Sequence, residues 1–374
     1  MKRPILILTT AFGEGHNAAA RNLAKALPLL DPDRPVLVRD VFAEAYGSLY
    51  TLVQRIYFLL INHFPQAWKA FYCFLDRDKA APKRVGIYRR GIKLLSRILE
   101  EESPAVIVST YPGYNLILDH VHAGKEVQER PHKTVTVVTD SISINALWYR
   151  GHSDLYLVPN QLTANVMIRA GVSAELLKVT GFPVPPDFES LRGKRPVPDS
   201  SHPPRVLYLA NPGQKHAVEI LEELGQIEEI TLTVACGRDE GLRARMQSVA
   251  SKLEHPLKVQ GWLEDLPGIM ASHHLVVAKA GGATVQECLA AGTPLIMSQV
   301  IPGQEEGNAE LLALSECGCA ATSPKTAAAA LRHAFSRGAA VWRTWEANTL
   351  KTGTPDGARN SAKEVLKEAE LLAD

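Results

Sequence analysis

Short apolar runs alternate with amphipathic stretches along most of the chain. In the first half the apolar runs lie at residues 5–9, 36–39, 105–109, 134–139 and 154–158, and in the second half at 206–210, 231–235, 257–260, 275–278 and 294–297. Amphipathic stretches such as 16–27, 161–170, 284–291 and 361–372 have the period of a helix. Apolar runs of this length between helices are typical of strands buried on both faces. The pattern therefore predicts an α/β chain with parallel sheets.

The two series of strands are separated by a segment rich in proline. Residues 183–204 contain seven prolines among charged and polar residues, a composition typical of a linker. We expect an N-terminal domain over residues 1–185, a linker over 186–204 and a C-terminal domain over 205–345. Residues 346–374 predict a helical tail that packs back on the N-terminal domain. A length of 374 residues allows two domains that each bury a core.

Composition narrows the class of protein. The hydrophobic fraction of 46% and charged fraction of 22% are typical of a globular chain, and a net charge of +1 gives no general signal for nucleic acid. The five scattered cysteines favour reduced thiols in a cytosolic protein. The N-terminus predicts a strand rather than a signal peptide, and no apolar run reaches the ~18 residues of a membrane-spanning helix. We therefore expect a chain that does not cross a membrane, which leaves peripheral binding open.

The strongest chemical signal lies between residues 275 and 312. A buried strand there is followed by a turn at Gly281 and Gly282 and then by a helix. Glycines let the backbone approach a ligand, and a helix N-terminus offers free N–H groups and a positive dipole end to a phosphate. Glu287, one turn into the helix, is placed to accept a ribose hydroxyl, and the polar run 302–308 follows the next strand. The segment predicts a nucleotide-sugar site, and a polar loop without function is the alternative.

The first strand-to-helix turn, at residues 11–18, allows two interpretations. Gly13, Gly15 and Ala18 match the dinucleotide-binding spacing, and Asp40 lies near the distance expected of its ribose-binding acid. Glu14, however, would place a carboxylate where the pyrophosphate sits. The dinucleotide interpretation therefore rests on spacing alone.

The second interpretation of this turn is catalytic. His16 begins the helix, and a helix N-terminus pushes a histidine toward its neutral form, which suits a general base. Asp140 ends the strand at 134–139, where it is expected to orient His16 or share its work. Capping of the helix by His16 and of the next turn by Asp140 are the alternatives.

Aromatic residues crowd residues 46–75, although they make up only 6% of the chain, and a basic cluster follows over residues 77–97. The combination predicts an interfacial contact, in which apolar side chains enter a lipid surface and cations meet anionic headgroups. Amphipathic helices packed on the sheet are the alternative. The residues expected to meet acceptor or membrane are Gly13, Gly15, Tyr57, Phe58, Phe64, Trp68, Phe71, Arg84, Arg89, Arg90 and Trp148.

Four segments resemble a known family. They are AFGEGHNAAA at 11–20, VVTDSISINALW at 137–148, VACGRDEGLR at 234–243 and AKAGGATVQECLAAGTPLIMSQVIPGQEEGNAE at 278–310. They resemble the GT-B glycosyltransferases of the monogalactosyldiacylglycerol synthase and diglucosyldiacylglycerol synthase type, which are similar to glycosyltransferase family 28. The resemblance covers nearly the whole chain. It implies an α/β chain with the GT-B fold, in which two Rossmann-like domains face each other across a cleft.

The resemblance also implies roles for single residues. His16 would take the proton of the acceptor hydroxyl, and Glu287 would bind the ribose. The turn at 281–284 would hold the diphosphate, 261–262 the uracil and 304–305 the sugar hydroxyls. The full set implied to bind the donor is Gly213, Gly237, Arg238, Gly261, Trp262, Gly281, Gly282, Ala283, Thr284, Glu287, Gln304, Glu305 and Asn308.

The expected activity is inverting transfer of a hexose from UDP-glucose or UDP-galactose to the hydroxyl of 1,2-diacylglycerol. The expected partners are the UDP-sugar, diacylglycerol and an anionic membrane surface, without nucleic acid. The protein would be cytoplasmic and monotopic on the inner face of the cell membrane. The alternatives are another acceptor such as a polyprenyl-linked sugar, a UDP-sugar epimerase, an NAD-dependent dehydrogenase and a non-catalytic UDP-sugar sensor.

Neither a metal nor another cofactor is expected. The two D-x-D sequences, at residues 31–33 and 76–78, do not follow strands, so neither predicts a metal–diphosphate clamp. The histidine pairs 120/122 and 273/274 lack further ligands at zinc spacing. We expect these histidines to be solvated.

Overall fold

The computed structural model describes residues 2–77, 85–193, 195–199, 202–255 and 257–371. Its strands are β1 (Ile5–Leu8), β2 (Val36–Arg39), β3 (Val106–Ser109), β4 (Lys133–Val137), β5 (Leu155–Val158), β6 (Leu177–Val179), β7 (Arg205–Leu209), β8 (Thr231–Ala235), β9 (Lys258–Gln260), β10 (Leu275–Lys279), β11 (Leu295–Gln299) and β12 (Gly318–Ala320). Its α-helices are α1 (Glu14–Leu30), α2 (Val41–Tyr46), α3 (Ser48–His63), α4 (Pro65–Arg77), α5 (Val85–Glu102), α6 (Gly113–Val121), α7 (Leu147–Arg150), α8 (Gln161–Arg169), α9 (Phe188–Leu191), α10 (Ala217–Gly225), α11 (Glu240–Ala250), α12 (Leu266–Ser272), α13 (Gly282–Ala291), α14 (Glu306–Leu314), α15 (Pro324–Thr352) and α16 (Gly357–Glu370).

The contacts divide the chain into two compact units. Unit 1 comprises Met1–Pro186, Pro302–Gln304 and Asp356–Asp374, and unit 2 comprises Asp187–Ile301 and Glu305–Pro355. Residues of the proline-rich segment pack on unit 2, since the guanidinium of Arg195 bonds Glu346 at 2.9 Å and the hydroxyl of Thr293 at 2.9 Å. The C-terminal tail is divided, and its last helix α16 packs against α1.

Unit 1 is built on a parallel six-stranded sheet in the order β2-β1-β3-β4-β5-β6. Every residue of β1 and β3 is buried, as expected for central strands covered on both faces. The chain moves from β1 to one neighbour, β2, and then returns to the other side at β3. This reversal is a topological switch point, and ligands of open α/β sheets bind at the carboxyl ends of such strands.

Unit 2 is built on a second parallel sheet in the order β12-β11-β10-β7-β8-β9. This is the strand order of a dinucleotide-binding fold, with the switch point between β7 and β10. Trp342 of α15 is fully buried in the core, and its indole N–H donates to the carbonyl of His274 at 2.6 Å. The predicted α/β fold with two Rossmann-like sheets is confirmed.

Two strands and three histidines differ from the expectations. The edge strands β6 and β12, with the sequences LKV and GCA, do not stand out as apolar runs in the sequence. The expectation of solvated histidines is wrong for His122, His273 and His274, which are buried. Each ring has a polar partner: Nε2 of His122 lies 3.1 Å from Nε2 of His132. Nε2 of His273 lies 3.1 Å from the hydroxyl of Thr233, and Nδ1 of His274 accepts the N–H of Arg205 at 2.8 Å.

Candidate functional site

His16 lies at the switch point of unit 1, in the first turn of α1. Its Nδ1 is 2.9 Å from the hydroxyl of Thr139, which follows β4. The ring meets Tyr111 edge-on at 5.2 Å and leans on Trp148 at 5.9 Å. Burial lowers the pKa of His16 to about 4, against a smaller opposing effect of a backbone hydrogen bond at Thr110. The imidazole is therefore neutral near pH 7 and able to accept a proton.

Asp140 is joined to this histidine through a tryptophan. Its Oδ2 accepts the indole N–H of Trp148 at 2.8 Å, and the fully buried Trp148 ring contacts His16. Sequence reasoning missed Thr139 and Tyr111. Both follow the carboxyl end of a strand next to the switch point, and that position is the signal that could have identified them.

An aromatic cluster extends from His16 along unit 1. Phe12 contacts Tyr111 at 6.2 Å, Tyr50 at 5.3 Å and Tyr57 at 5.8 Å. The next ring, Trp68 of α4, meets Tyr57 edge-on at 5.0 Å. Aromatic pairs at these separations attract one another beyond their buried area, so the cluster forms a continuous apolar wall beside the histidine.

The residues of the dinucleotide spacing have other partners. Gly13 precedes α1 with φ 115°, Gly15 lies inside the first turn of α1, and the exposed Glu14 pairs with Arg21 at 2.6 Å. Asp40 accepts the hydroxyl of Tyr50 at 3.0 Å and the N–H of Ala43 at 2.9 Å, which caps α2. Its carboxylate therefore already supports the fold.

Helices α3 and α4 present an apolar surface to solvent, which we name the apolar face. Tyr57 lies on the buried side of α3 and donates to Oε1 of Gln304 at 3.1 Å. On the apolar face, the exposed large side chains are Leu49, Leu52, Val53, Ile56, Phe58, Leu59, Phe64, Phe71 and Phe74. An exposed apolar stripe of this kind marks an interaction surface.

Basic residues follow the apolar face in the sequence. Arg89 and Arg90 are exposed on α5, whereas Arg84 lies outside the described residues. Within the described part of the chain, the helices are too short or too polar to cross a bilayer.

The turn between β10 and α13 lies at the switch point of unit 2. Gly281 occupies the cap position and α13 begins at Gly282, with Ala283 and Thr284 in its first turn. The ammonium of Lys279 pairs with Oε1 of Glu305 at 2.8 Å. A Cβ on Gly281 would lie 3.5 Å from that ammonium. Free N–H groups, a helix dipole and a cation thus meet at one turn, which is the chemistry of an anion site.

The loop after β11 is held by the predicted sugar-reading acid. Besides Lys279, Glu305 accepts the N–H of Ile301 at 3.0 Å, and it is only 3% exposed. Both carboxylate oxygens are therefore occupied in this structure. Asn308 donates to the carbonyl of Ala280 at 3.0 Å, while its buried Oδ1 meets no hydrogen-bond partner among the described residues. Sequence reasoning did not single out Lys279, although it ends the strand before the turn.

Glu287 lies inside α13 rather than on its surface. It is 8% exposed and has a polar or electrostatic partner. The neighbouring Cys288 is buried, which raises the pKa of its thiol well above the usual range, and Glu287 adds to this effect.

The loops that follow β7, β8 and β9 hold the remaining predicted donor residues. Gly213 and Gly237 have φ values of 73° and 58°, which glycine adopts without strain. The guanidinium of Arg238 stacks 4.4 Å from the ring of Trp262, which is 54% exposed. A Cβ on Gly261 would lie 3.5 Å from the carbonyl of Gly237, so the two loops touch.

Gln214 connects the loop after β7 to strand β11 by a hydrogen bond. Its amide nitrogen donates to the hydroxyl of Ser298 at 2.9 Å, and its oxygen accepts the N–H of Asn211 at 3.3 Å. Gln214 is buried, and sequence reasoning did not identify it.

The first aspartate of each D-x-D sequence supports local structure, and Asp78 lies outside the described residues. Asp31 bonds Lys2 and Arg34, and the Oδ1 of Asp76 accepts the N–H of Ala146 at 2.6 Å. Among the described residues, no three His, Cys, Asp or Glu side chains are grouped in a way that could hold a metal ion.

Two family models match parts of the chain. Monogalactosyldiacylglycerol (MGDG) synthase matches residues 16–184, and the glycosyltransferase family 28 C-terminal domain matches residues 214–321. The first match lies within unit 1, and the second lies in unit 2 except for residues 302–304, which belong to unit 1.

Curated relatives align over most of the chain at low identity. A processive diacylglycerol beta-glucosyltransferase of Bacillus subtilis is 25% identical, covering 82% of this chain and 80% of the relative. A chloroplastic monogalactosyldiacylglycerol synthase 3 of Arabidopsis thaliana is 26% identical, covering 97% and 81%.

Solved structures share the fold. MurG of Acinetobacter baumannii aligns with a TM-score of 0.60 at 13% identity, covering 98% of this chain and 100% of that one. A UDP complex of S. aureus MnaA aligns with a TM-score of 0.62 at 12% identity, covering 100% and 98%. At these identities the likeness establishes the fold alone.

Proposed function

The chain belongs to the glycosyltransferases of the monogalactosyldiacylglycerol synthase type, and from this premise we propose that it transfers a hexose from a UDP-sugar to the hydroxyl of 1,2-diacylglycerol. The observation that carries the proposal is the contrast between the two switch points. A histidine whose pKa is lowered by burial lies at the one in unit 1, and a helix start with two glycines beside the ammonium of Lys279 lies at the one in unit 2.

The donor binds to unit 2. Its diphosphate accepts hydrogen bonds from the N–H groups of Gly282, Ala283 and Thr284, beside the ammonium of Lys279. The uracil lies at Gly261 and Trp262, the ribose reaches Glu287, and the sugar meets Asn308. The unpartnered Oδ1 of Asn308 supports this placement, since a hydroxyl of the sugar would supply its missing donor. No metal or other cofactor takes part.

The acceptor is activated in unit 1. The hydroxyl oxygen of diacylglycerol attacks the anomeric carbon while His16 takes the hydroxyl proton. The bond between the anomeric carbon and the β-phosphate oxygen breaks, and UDP leaves with the electron pair. The charge that develops on UDP is stabilised by the α13 N-terminus and Lys279. One displacement inverts the anomeric centre.

The apolar face brings the protein to its acceptor. Diacylglycerol is confined to membranes, and exposed leucine, isoleucine and phenylalanine side chains on α3 and α4 can enter the headgroup region. Exposed Arg89 and Arg90 on the next helix add attraction to anionic lipids. We place the protein on the inner face of the cell membrane, bound from one side.

The donor sugar and the reaction are tested together. Purified protein is incubated with diacylglycerol vesicles and, separately, UDP-glucose, UDP-galactose and UDP-N-acetylglucosamine, and both UDP release and glycolipid mass are measured. A hexosyl diacylglycerol from UDP-glucose or UDP-galactose is the expected result. UDP binding without glycolipid from any donor would contradict the proposal.

A further inference from the structure

Two polar atoms on α4 are buried without a partner. The indole N–H of Trp68 and the hydroxyl of Tyr72 meet no hydrogen-bond partner within the part of the chain that the structure describes. Buried donors in native proteins are almost always paired, because each unmade bond is costly. Residues four apart on a helix share one face. The two donors therefore lie on the same side of α4.

Four successive ring contacts of the aromatic cluster link Trp68 to His16. Trp68 contacts Tyr57 at 5.0 Å, and from there the rings of Phe12 and Tyr111 lead to His16. The backbone carbonyl of Tyr72 accepts a bond from Asn145 at 3.2 Å, which anchors α4 to the segment that carries Asp140. Burial raises the pKa of Tyr72 well above its usual range, and Asp140 adds to this effect, so the hydroxyl keeps its proton.

The apolar face continues onto α4 beside these donors, where the ring of Phe71 contacts Trp68 at 5.7 Å. Phe64, Phe71 and Phe74 are exposed on this helix or at its start. One helix thus carries exposed apolar side chains next to two unpaired neutral donors. A phosphate would favour cations and helix N-termini, whereas neutral donors in an aromatic lining suit an uncharged ester carbonyl.

We infer that Trp68 Nε1 and Tyr72 Oη form a subsite for the acceptor, in which they donate hydrogen bonds to the ester carbonyl oxygens of diacylglycerol. The inference rests on the proposed function and adds the atoms that recognise the lipid head. The apolar face of α3 and α4 would hold the acyl chains. The two donors would orient the glycerol so that its hydroxyl reaches His16.

The test compares ester and ether lipids by equilibrium binding. Dihexanoylglycerol and its diether analogue, which lacks both carbonyls, are titrated calorimetrically into the wild type, Tyr72→Phe and Trp68→Phe. We expect the wild type to prefer the ester by about tenfold, since two neutral hydrogen bonds that each contribute about threefold give that factor. Each variant should therefore keep a preference of only about threefold, while its affinity for the ether and for UDP changes by less than about twofold. The thermal midpoint of Tyr72→Phe should stay equal or rise, because the deleted hydroxyl has no partner to lose.

Tyr156→Phe is the matched control. Its hydroxyl donates to the carbonyl of Gly151 at 3.2 Å, so its removal should lower the thermal midpoint and leave the ester preference intact. Equal binding of ester and ether by the wild type, or an unchanged preference in both α4 variants, would overturn the subsite. Glycolipid formation is measured separately on the same samples. Ester-selective binding without transfer would therefore contradict the proposed function and still support the subsite.

Discussion

The two switch points share a strand–turn–helix order but differ in the conformation of the cap glycine, with φ 115° at Gly13 and −65° at Gly281, and in the side chains they carry. In unit 1 the turn between β1 and α1 carries the exposed carboxylate of Glu14 and the neutral ring of His16. In unit 2 the turn between β10 and α13 carries two glycines and the ammonium of Lys279. Both turns end a buried strand and begin a helix. We infer from the comparison that the side chains at a strand-to-helix turn decide whether its helix N-terminus binds an anion.

Removal of the base should have the largest effect. His16→Ala is expected to lower kcat by about 10²- to 10⁴-fold, the contribution typical of a general base, and to leave UDP affinity within about threefold. Turnover is measured by glycolipid formation and affinity by calorimetry. His202→Ala, at an exposed histidine of unit 2, serves as the control. Wild-type turnover of His16→Ala would remove this residue from the mechanism.

Loss of the cation in unit 2 should weaken the nucleotide instead. Lys279→Met is expected to weaken UDP binding by about 10- to 100-fold, since a hydrogen bond to a charged group contributes about 1.5–3 kcal/mol. Uridine, which has no phosphate, should bind as before. The measurement is the ratio of the two dissociation constants.

The same substitution leaves a buried carboxylate without its cation, and this side effect requires its own control. Lys279→Met leaves Glu305 without its ion-pair partner, at a cost of about 3–5 kcal/mol in stability when a buried partner is removed. The double variant Lys279→Met/Glu305→Gln removes that charge, and Lys252→Met changes an exposed lysine. If the double variant binds UDP like the wild type, Lys279 does not contact the diphosphate.

Substitutions on the apolar face should have a smaller effect, and this effect concerns membrane binding by unit 1 alone. Leu52→Asp with Ile56→Asp places two carboxylates on α3 and should lower binding to anionic diacylglycerol vesicles by at least about tenfold, because burial of each apolar side chain contributes about 1.5–3 kcal/mol. Leu314→Asp, at an exposed site of unit 2, should bind vesicles like the wild type. Sedimentation with vesicles measures both. Equal binding of all three proteins would contradict a membrane contact through α3.

The smallest expected effect is that of pH. The folded pKa of His16 is lowered from 6.5 to about 4, so the active neutral form persists until the pH falls toward 4. We expect kcat/KM to change by less than about twofold between pH 8 and 5.5, whereas a histidine of ordinary pKa would lose about tenfold there. A decline centred near pH 6.5 would contradict the depressed pKa.

Stability has to be followed in the same experiment. An unfolded chain takes up protons on histidine near pH 6.5, before the folded His16 does, so stability falls as the pH drops from 6.5 toward 4. Buried His132 and His274, with pKa values lowered to about 3 and about 4, act in the same direction. Circular dichroism at each pH separates unfolding from loss of the base.

Much of the fold could be predicted from the sequence because its signals are local. The apolar runs predicted the central strands, and the glycines at 281–282 predicted the start of α13. Arg195 shows the limit, since its proline-rich segment suggests a linker, yet its guanidinium is buried against Glu346. An ion pair between residues distant in the sequence leaves no local pattern.

The site was predictable only in part, for the same reason. His16 and the glycine turn could be identified from the sequence. Lys279, Thr139 and Tyr72 could not, because their interest depends on their surroundings in the folded chain. Glu305 was expected to bind the sugar hydroxyls, and in the structure one of its oxygens pairs with Lys279 and the other accepts the N–H of Ile301 in the loop after β11. The sequence identifies a candidate carboxylate, but only the structure shows which groups already form hydrogen bonds with it.

The most direct test of the division between the two turns is a UDP titration of the wild type, Gly281→Ala and His16→Ala. An added Cβ at Gly281 has room in the free protein, and the residue's φ of −65° suits alanine, so folding should be preserved. The methyl group would stand where the diphosphate approaches the ammonium of Lys279. We predict that Gly281→Ala weakens UDP binding at least about tenfold and that His16→Ala leaves it within about threefold. The reverse pattern would place the nucleotide at the turn of unit 1 and contradict the account.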